Sequence, residues 1–365
     1  MPVVDAAEPP LSDLTPKAAP LLQARLSKSR APGLAAAVVN RNGVVWSGAG
    51  GIRRRSQEDA IGHYDCWHIG SNTKAMTAAL FARLVQAELA RWDVPLTNLF
   101  PDLRLDGAWD AVTIADLLRH RSGLRDRGLV DAAWIASARA APALAADQRS
   151  ELAARALRAP PRRRDRRFAY ANVNYVIVGA AIERITGQAW EDAMRTWLFE
   201  PLGMESAGFG APRGDQPWGH RSQFAGLGVG EAIDPQRPEA DNPAVLGPAG
   251  TAHMSLTDHA RFARLFLTDG AGFLTRASIS ALTTPAAGEA NDYAFGWGVI
   301  AERPWARGPV LLHEGSNTLW HSVVIVGPQR GLAVLTAANA AGPGGRAAQG
   351  LALDLLKLYA GADRL

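Results

Sequence analysis

A serine and a lysine stand three residues apart in HIGSNTKAM, Ser71 and Lys74, at the start of a stretch that runs to about Ala90 without Gly or Pro. On a helix that step puts both side chains on one face, about one turn apart. A serine hydroxyl is a weak nucleophile at its ordinary pKa. An amine can activate it once burial or nearby positive charge has lowered the amine's own pKa. The helix N-terminus adds free N–H groups and positive potential where an oxyanion would form. With 16 serines and four lysines in the chain, chance alone yields about 0.2 such pairs. The plainer reading of the pair is Ser71 as a helix cap and Lys74 as a solvated side chain.

Two further segments carry groups suited to the same chemistry. In FAYANVNYVIVG, Tyr170 and Asn172 precede an apolar helix. A phenol held near an ammonium can shuttle a proton, and a carboxamide can both donate to and accept from a substrate ester or amide. In LLHEGSNTLWHS, a strand presents His313, then Gly315 where a substrate could approach the backbone, then the N–H of Ser316 as a second oxyanion donor. Trp320 follows on the same segment and is placed as a residue lining the substrate cleft. Taken singly, each of these also has a packing role open to it.

The elements that must position these groups follow from hydrophobic period and turn chemistry. GLAAAVVN and VVWSGAG flank Asn42-Gly43, which predicts an antiparallel hairpin at about 33–39 and 44–50. The apolar steps through Met76, Leu80, Leu84 and Leu89 predict a helix over 71–90. Helical patterns recur at 113–120, 129–158, 173–186, 188–200 and, with Thr257 and Asp258 as caps, 257–267. Residues 205–250 read as long loops. PVLLHEG, LWHSVVIVG and GLAVLTAAN read as strands of one antiparallel sheet, and GRAAQGLALDLLKLYA closes the chain as a helix. Strands at both ends around a helical middle predict an α/β (α+β) fold. Its antiparallel sheet is flanked by helices and formed by residues 1–72 and 250–365, with a mainly helical domain at 73–249 and the active site between them.

Composition narrows the function classes. At 47% hydrophobic and 20% charged, the 365 residues match an ordinary globular protein. A net charge of +4 makes no field that calls for nucleic acid. The single cysteine, Cys66, excludes an internal disulfide or a multi-cysteine metal site. No His-x-x-x-His or His-Glu-x-x-His pair occurs, so neither metal nor cofactor is expected. No Gly-x-Ser-x-Gly elbow is present either. Asp5, Glu8 and Asp13 at the start do not fit an export signal, and the alanine-rich window from Leu129 to Ala146 is interrupted by Asp131, Arg139 and Pro142. The expectation is therefore a cytoplasmic protein without a membrane span, with oligomeric state left open; the groups in the three segments above suit a small ester or amide substrate. The arginine run at 158–167 and the one at 53–55 read as solvated loops.

The ordered series Ser71-x-x-Lys74, Tyr170-x-Asn172, His313-x-Gly315 resembles that of the serine β-lactamase and penicillin-binding protein superfamily. The branch is that of class C β-lactamases, DD-peptidases, D-amino-acid peptidases and family VIII carboxylesterases. Secondary segments of that group also recur: TIADLLRHRSGL at 113–124, PLGM at 201–204, PAGTAHMSLTDHARF at 248–262 and FGWG at 295–298. The resemblance implies Ser71 as acylated nucleophile, Lys74 and Tyr170 as general base and acid, and Asn172 as a substrate-orienting amide. His313 and Gly315 would form the third motif, with the N–H groups of Ser71 and Ser316 as oxyanion hole. Many relatives carry Lys-Thr-Gly where this chain has His313-Glu314-Gly315. A histidine near its ordinary pKa is mostly neutral at pH 7, so the grip on a β-lactam carboxylate should weaken. Glu314 would repel anions further if it points inward. The expectation is a carboxylesterase for short acyl esters. The alternatives are a D-amino-acid peptidase, DD-carboxypeptidase or weak β-lactamase, and a catalytically silent homologue that binds muropeptides or a partner.

Overall fold

Along the strand β1, Gly33–Asn40, side chains Leu34, Ala36 and Val38 enter one hydrophobic cluster while Ala35, Ala37 and Val39 enter another. GLAAAVVN is apolar at nearly every position because both of its faces are covered. The computed structural model describes residues 14–361 apart from 56, 142, 163–164 and 287–291. Asp5, Glu8 and Asp13, Pro142 and the arginines Arg163 and Arg164 lie outside the described residues.

The hairpin expected around Asn42-Gly43 is present as β1 and β2, Gly43–Gly51, with a register irregularity between Val38 and Val39. The remaining strands of the main sheet are β3 (Asp292–Tyr293), β4 (Gly298–Arg303), β5 (Gly308–Gly315), β6 (His321–Gly327) and β7 (Leu332–Ala338). The spatial order is β2-β1-β7-β6-β5-β4-β3, antiparallel throughout. Strands from both ends of the sequence thus share one mixed α/β core, as expected. β3 and β4 were not anticipated; β3 is only two residues long. Two smaller sheets, one built on Cys66–His68, Ala252–Ser255 and Gly208–Phe209 and the other on His220–Gln223 with Gly228–Ala232, give the 205–250 region more regular structure than its Gly and Pro content suggests.

One face of the sheet is covered by helices α1, Thr15–Lys28, and α5, Pro343–Ala360. The other meets α4, Leu256–Arg264, and shares one hydrophobic cluster with α2, Thr73–Gln86, and α3, Asn172–Thr186. α2 begins later and ends earlier than its apolar pattern implies. A 3-10 turn, Gly70–Asn72, precedes it, and Glu88 in the left-handed region (φ 60°) stops the chain from continuing, leaving Leu89 exposed. The 129–158 pattern divides into Ala132–Ala140 and Ala145–Leu157. α4 is capped two residues earlier than expected, by the Ser255 hydroxyl accepting from Asp258 N–H at 3.2 Å. Among the described residues no helix is long and apolar enough to cross a membrane.

Candidate active site

Ser71 sits in the turn that opens α2, and Lys74 lies fully buried in the first turn of the helix itself. Lys74 Nζ contacts three oxygens: Ser71 Oγ at 3.1 Å, Asn172 Oδ1 at 2.9 Å and the Ala249 carbonyl at 2.6 Å. Burial drives the ammonium's pKa from 10.5 down to about 7, partly opposed by the carboxylate of Asp126. A neutral amine has two N–H donors and one lone pair. The Ala249 carbonyl and Asn172 Oδ1 can only accept, so they take the two donors. The lone pair then faces the one partner that can donate, the Ser71 hydroxyl.

Asn172 is held from both ends. Its Oδ1 accepts from Lys74, and its Nδ2 donates to Asp126 at 3.0 Å. Asp126 also accepts from the N–H groups of Asn172 (2.9 Å) and Val173 (3.0 Å), so a carboxylate from a distant loop caps the N-terminus of α3. Sequence reading missed Asp126. No local motif marks it, since its partners lie 46 and 47 residues away.

Tyr170 is 42% exposed, yet its hydroxyl meets Ser71 and Lys74 Nζ stands 4.8 Å over its ring. Burial of the phenol end raises its pKa well above the usual value, with the Ser71 hydrogen bond partly offsetting this. Tyr170 therefore stays a phenol at neutral pH, suited to give a proton rather than take one. His120, also missed, fixes this position from below. Its carbonyl accepts from Ala169 N–H at 2.8 Å, its Nδ1 accepts from Ala171 N–H at 3.3 Å, and its ring lies 4.4 Å from that of Tyr170. Both peptide neighbours of Tyr170 are thus tied to one buried histidine.

β5 brings its end against the start of α2 with almost no space between backbones. A Cβ on Gly315 would stand 1.9 Å from the Ile69 carbonyl oxygen and 2.7 Å from Ser71 N. On Gly70, which adopts φ +52°, it would stand 2.3 Å from Ser316 N. Glycine is required at both positions, and the contact carries the N–H groups of Ser71 and Ser316 to neighbouring places. Gly315→Ala is expected to lower the melting temperature by several degrees and to remove most activity, because the obstacle is backbone and cannot move aside. A thermal melt and an activity assay on the same preparation check this.

His313 is 6% exposed on the face of β5 turned toward the site. Its Nδ1 faces its acceptor, the Glu314 carbonyl, at 2.8 Å, so the ring proton sits there and Nε2 accepts from the Tyr293 hydroxyl, also at 2.8 Å. Burial, with Lys74 adding to it, lowers the imidazole pKa to about 3. The ring is neutral at any working pH.

The condition set for Glu314 is not met, and the expectation for Trp320 is corrected. Glu314 points to the opposite face of the sheet, because side chains alternate along β5. Its Oε2 accepts from Gln349 of α5 at 2.7 Å and lies 3.2 Å from His321 Nε2. It exerts no inward repulsion. Trp320 does not line a cleft; it is 1% exposed and packs edge-on against Trp67, 6.1 Å between ring centres. The turn after Gly315, with Thr318 in the left-handed region (φ 76°), redirects the chain inward before Trp320. Ser71, Lys74, Tyr170, Asn172, His313, Gly315 and Ser316 are brought to one place. The described arginines of the 158–167 run are exposed, and Arg166 pairs with Asp116 and Arg167 with Asp165.

The arrangement can carry out acyl transfer: an alcohol with an uncharged amine beside it, a phenol as proton donor, and two main-chain N–H groups where a carbonyl oxygen would become anionic. Comparison with known proteins agrees with that class of chemistry. Penicillin-binding protein 4 of Amycolatopsis lactamdurans is 29% identical over 325 residues, covering 84% of this chain and 81% of its own. Among solved structures, EstCE1, described as a hydrolase with promiscuous acyltransferase activity, superimposes with a TM-score of 0.76 at 19% identity, over 94% of this chain and 99% of its own. The D-amino acid amidase of Ochrobactrum anthropi SV3 in complex with L-phenylalanine amide gives 0.72 at 18% identity, over 95% and 97%. The Beta-lactamase family model matches residues 18–358, and the chain belongs to that family of serine hydrolases.

Proposed function

We propose that this hydrolase is a carboxylesterase for short acyl esters, working through a covalent acyl-enzyme on Ser71. Neutral Lys74 takes the Ser71 proton as Oγ attacks the ester carbonyl. The N–H groups of Ser71 and Ser316 hold the oxyanion. Tyr170 gives its proton to the departing alkoxide and recovers the one that Lys74 took from Ser71, the Lys74 ammonium standing beside its ring. Water then attacks the acyl group with Lys74 again as base, releasing the acid. Asn172, fixed by Lys74 and Asp126, uses one of its two Nδ2 protons on Asp126 and keeps the other for substrate; it orients Lys74 as much as substrate.

The observation that carries the ester reading is His313. A substrate with a carboxylate beside its scissile bond, such as a β-lactam or a D,D-peptide, needs a cation or a free donor there. His313 supplies neither, since its one N–H is directed to Glu314 and its other nitrogen is occupied by Tyr293. A simple ester asks for nothing at that position. The test is one preparation assayed with p-nitrophenyl butyrate, D-phenylalanine amide and nitrocefin. The ester should lead in kcat/KM by at least about 10²-fold. A reversed order would overturn the assignment.

A second reading, hydrolysis of D-amino-acid amides, draws support from the amidase likeness and from the same histidine, because an amino-acid amide also lacks a carboxylate. Amide turnover matching that of the ester would favour it.

A further inference from the structure

Asp241 is 8% exposed in the segment between the turns Pro238–Ala240 and Ala244–Leu246, far in sequence from every motif above. Its Oδ1 stands 2.7 Å from His68 Nε2, a close contact off the straight hydrogen-bond axis, and accepts from Asn317 Nδ2 at 2.9 Å. His68 is fully buried, and its Nδ1 accepts from Gly70 N–H at 3.1 Å. That bond leaves the ring proton on Nε2, on the side of Asp241. Asn317 also is buried; its Oδ1 accepts from the N–H groups of Leu319 (3.2 Å) and Trp320 (3.1 Å), closing the turn that follows Ser316.

Two chains of contacts therefore leave one carboxyl group. One runs through His68 to the peptide of Gly70, next to Ser71. The other runs through Asn317, the residue after Ser316, to the N–H groups of Leu319 and Trp320 in the same turn. They meet again where Gly70 touches Ser316 and Gly315 touches Ser71. Three polar side chains from three separate segments are buried together where apolar residues would pack at lower cost. His68 holds the main chain one residue before Ser71, Asn317 closes the turn that follows Ser316, and Asp241 joins the two side chains.

We propose that Asp241 is a positioning residue that sets the spacing of the two oxyanion-hole N–H groups, acting through His68 and Asn317. The proposal rests on the acyl-transfer reading above. Oxyanion donors act through preorganisation, and losing one outright costs about 10²–10³ in kcat. Letting two drift apart should cost less, about 10–10²-fold. Since a ground-state carbonyl makes weaker use of these donors than the tetrahedral anion does, the loss belongs in kcat and not in KM.

The experiment compares Asp241→Ala with the parent protein for ester kinetics and for binding of a phenylboronic acid, which forms a tetrahedral anion on serine. Rates are taken per Ser71 labelled to completion by a fluorophosphonate, so unfolded protein does not count. The expected result is kcat lower by about 10–10²-fold, KM changed by less than about threefold, and boronate affinity lower by the same factor as kcat. Asn317→Ala, which unties only the Ser316 side, should show a smaller loss of the same kind, and the double variant should lose less than the product of the two. It also carries the test if Asp241→Ala does not fold. Unchanged boronate affinity and kcat in labelled protein would overturn the role of Asp241 alone. Absence of labelling at Ser71 in the parent would overturn the acyl-transfer reading and this role with it.

Discussion

Ser71→Ala is expected to reduce p-nitrophenyl butyrate hydrolysis by at least about 10³-fold while the protein melts within a few degrees of the parent. The size of the effect follows from what remains. Lys74, Tyr170 and the two N–H groups would still surround the ester, but no atom in the site can form the acyl bond, and residual turnover would depend on water. The small thermal change follows from the position of Ser71 in a half-buried turn, where its hydroxyl meets Lys74 and Tyr170 without filling a core. A fluorophosphonate that labels the parent and not the variant locates the reaction at this side chain. Comparable rates in the two proteins would remove Ser71 from the mechanism.

Lys74→Met should cost nearly as much, about 10²–10⁴-fold in kcat/KM, and it makes a sharper demand because the base titrates near neutrality. With a pKa of about 7, Lys74 is protonated and useless as a base in acid. The parent's kcat/KM should rise with pH, tenfold per unit below about 7, and level off above it. The limb should vanish in Lys74→Met. His313, already neutral above about 3, should add no second limb in that range. Stability carries the same signature. Folding lowers the pKa of Lys74, so between about 7 and 10.5 the unfolded chain holds a proton that the folded one lacks, and stability rises with pH across that window. Lys74→Met should flatten this slope. Urea melts of both proteins at pH 7 and pH 10 measure it, and parallel curves would show that Lys74 is not neutral in the fold.

How much of this was legible beforehand depends on whether a residue's partners lie near it in sequence. Ser71 and Lys74 announce themselves by helical spacing, and Gly315 by its place at the end of an apolar strand. The hairpin of β1 and β2 follows from Asn42-Gly43, and the double-sided burial of β1 from its unbroken apolar run. Asp126, His120, His68, Asp241 and Asn317 give no such signal. Each works through contacts that only the fold creates, as when Asp241 meets a histidine 173 positions earlier and an asparagine 76 later. Glu314 could have been placed by strand alternation alone, since His313 and Gly315 on either side face the site. Trp320 could not, because the turn that reverses its direction uses Thr318 at a positive φ, a position where neither Gly nor Asn gives warning. The early end of α2 at Glu88 has the same cause.

The contact of Gly70 with Ser316 and of Gly315 with Ser71 means that, in the proposed mechanism, the groups that meet the oxyanion are main-chain N–H groups. Variation in the surrounding loops can then alter which acyl group is admitted without disturbing how a carbonyl is polarised. A directed-evolution campaign aimed at new esters would do best to leave the four residues of that junction constant, together with His68, Asp241 and Asn317, and to randomise the remaining walls, where mistakes are forgiven.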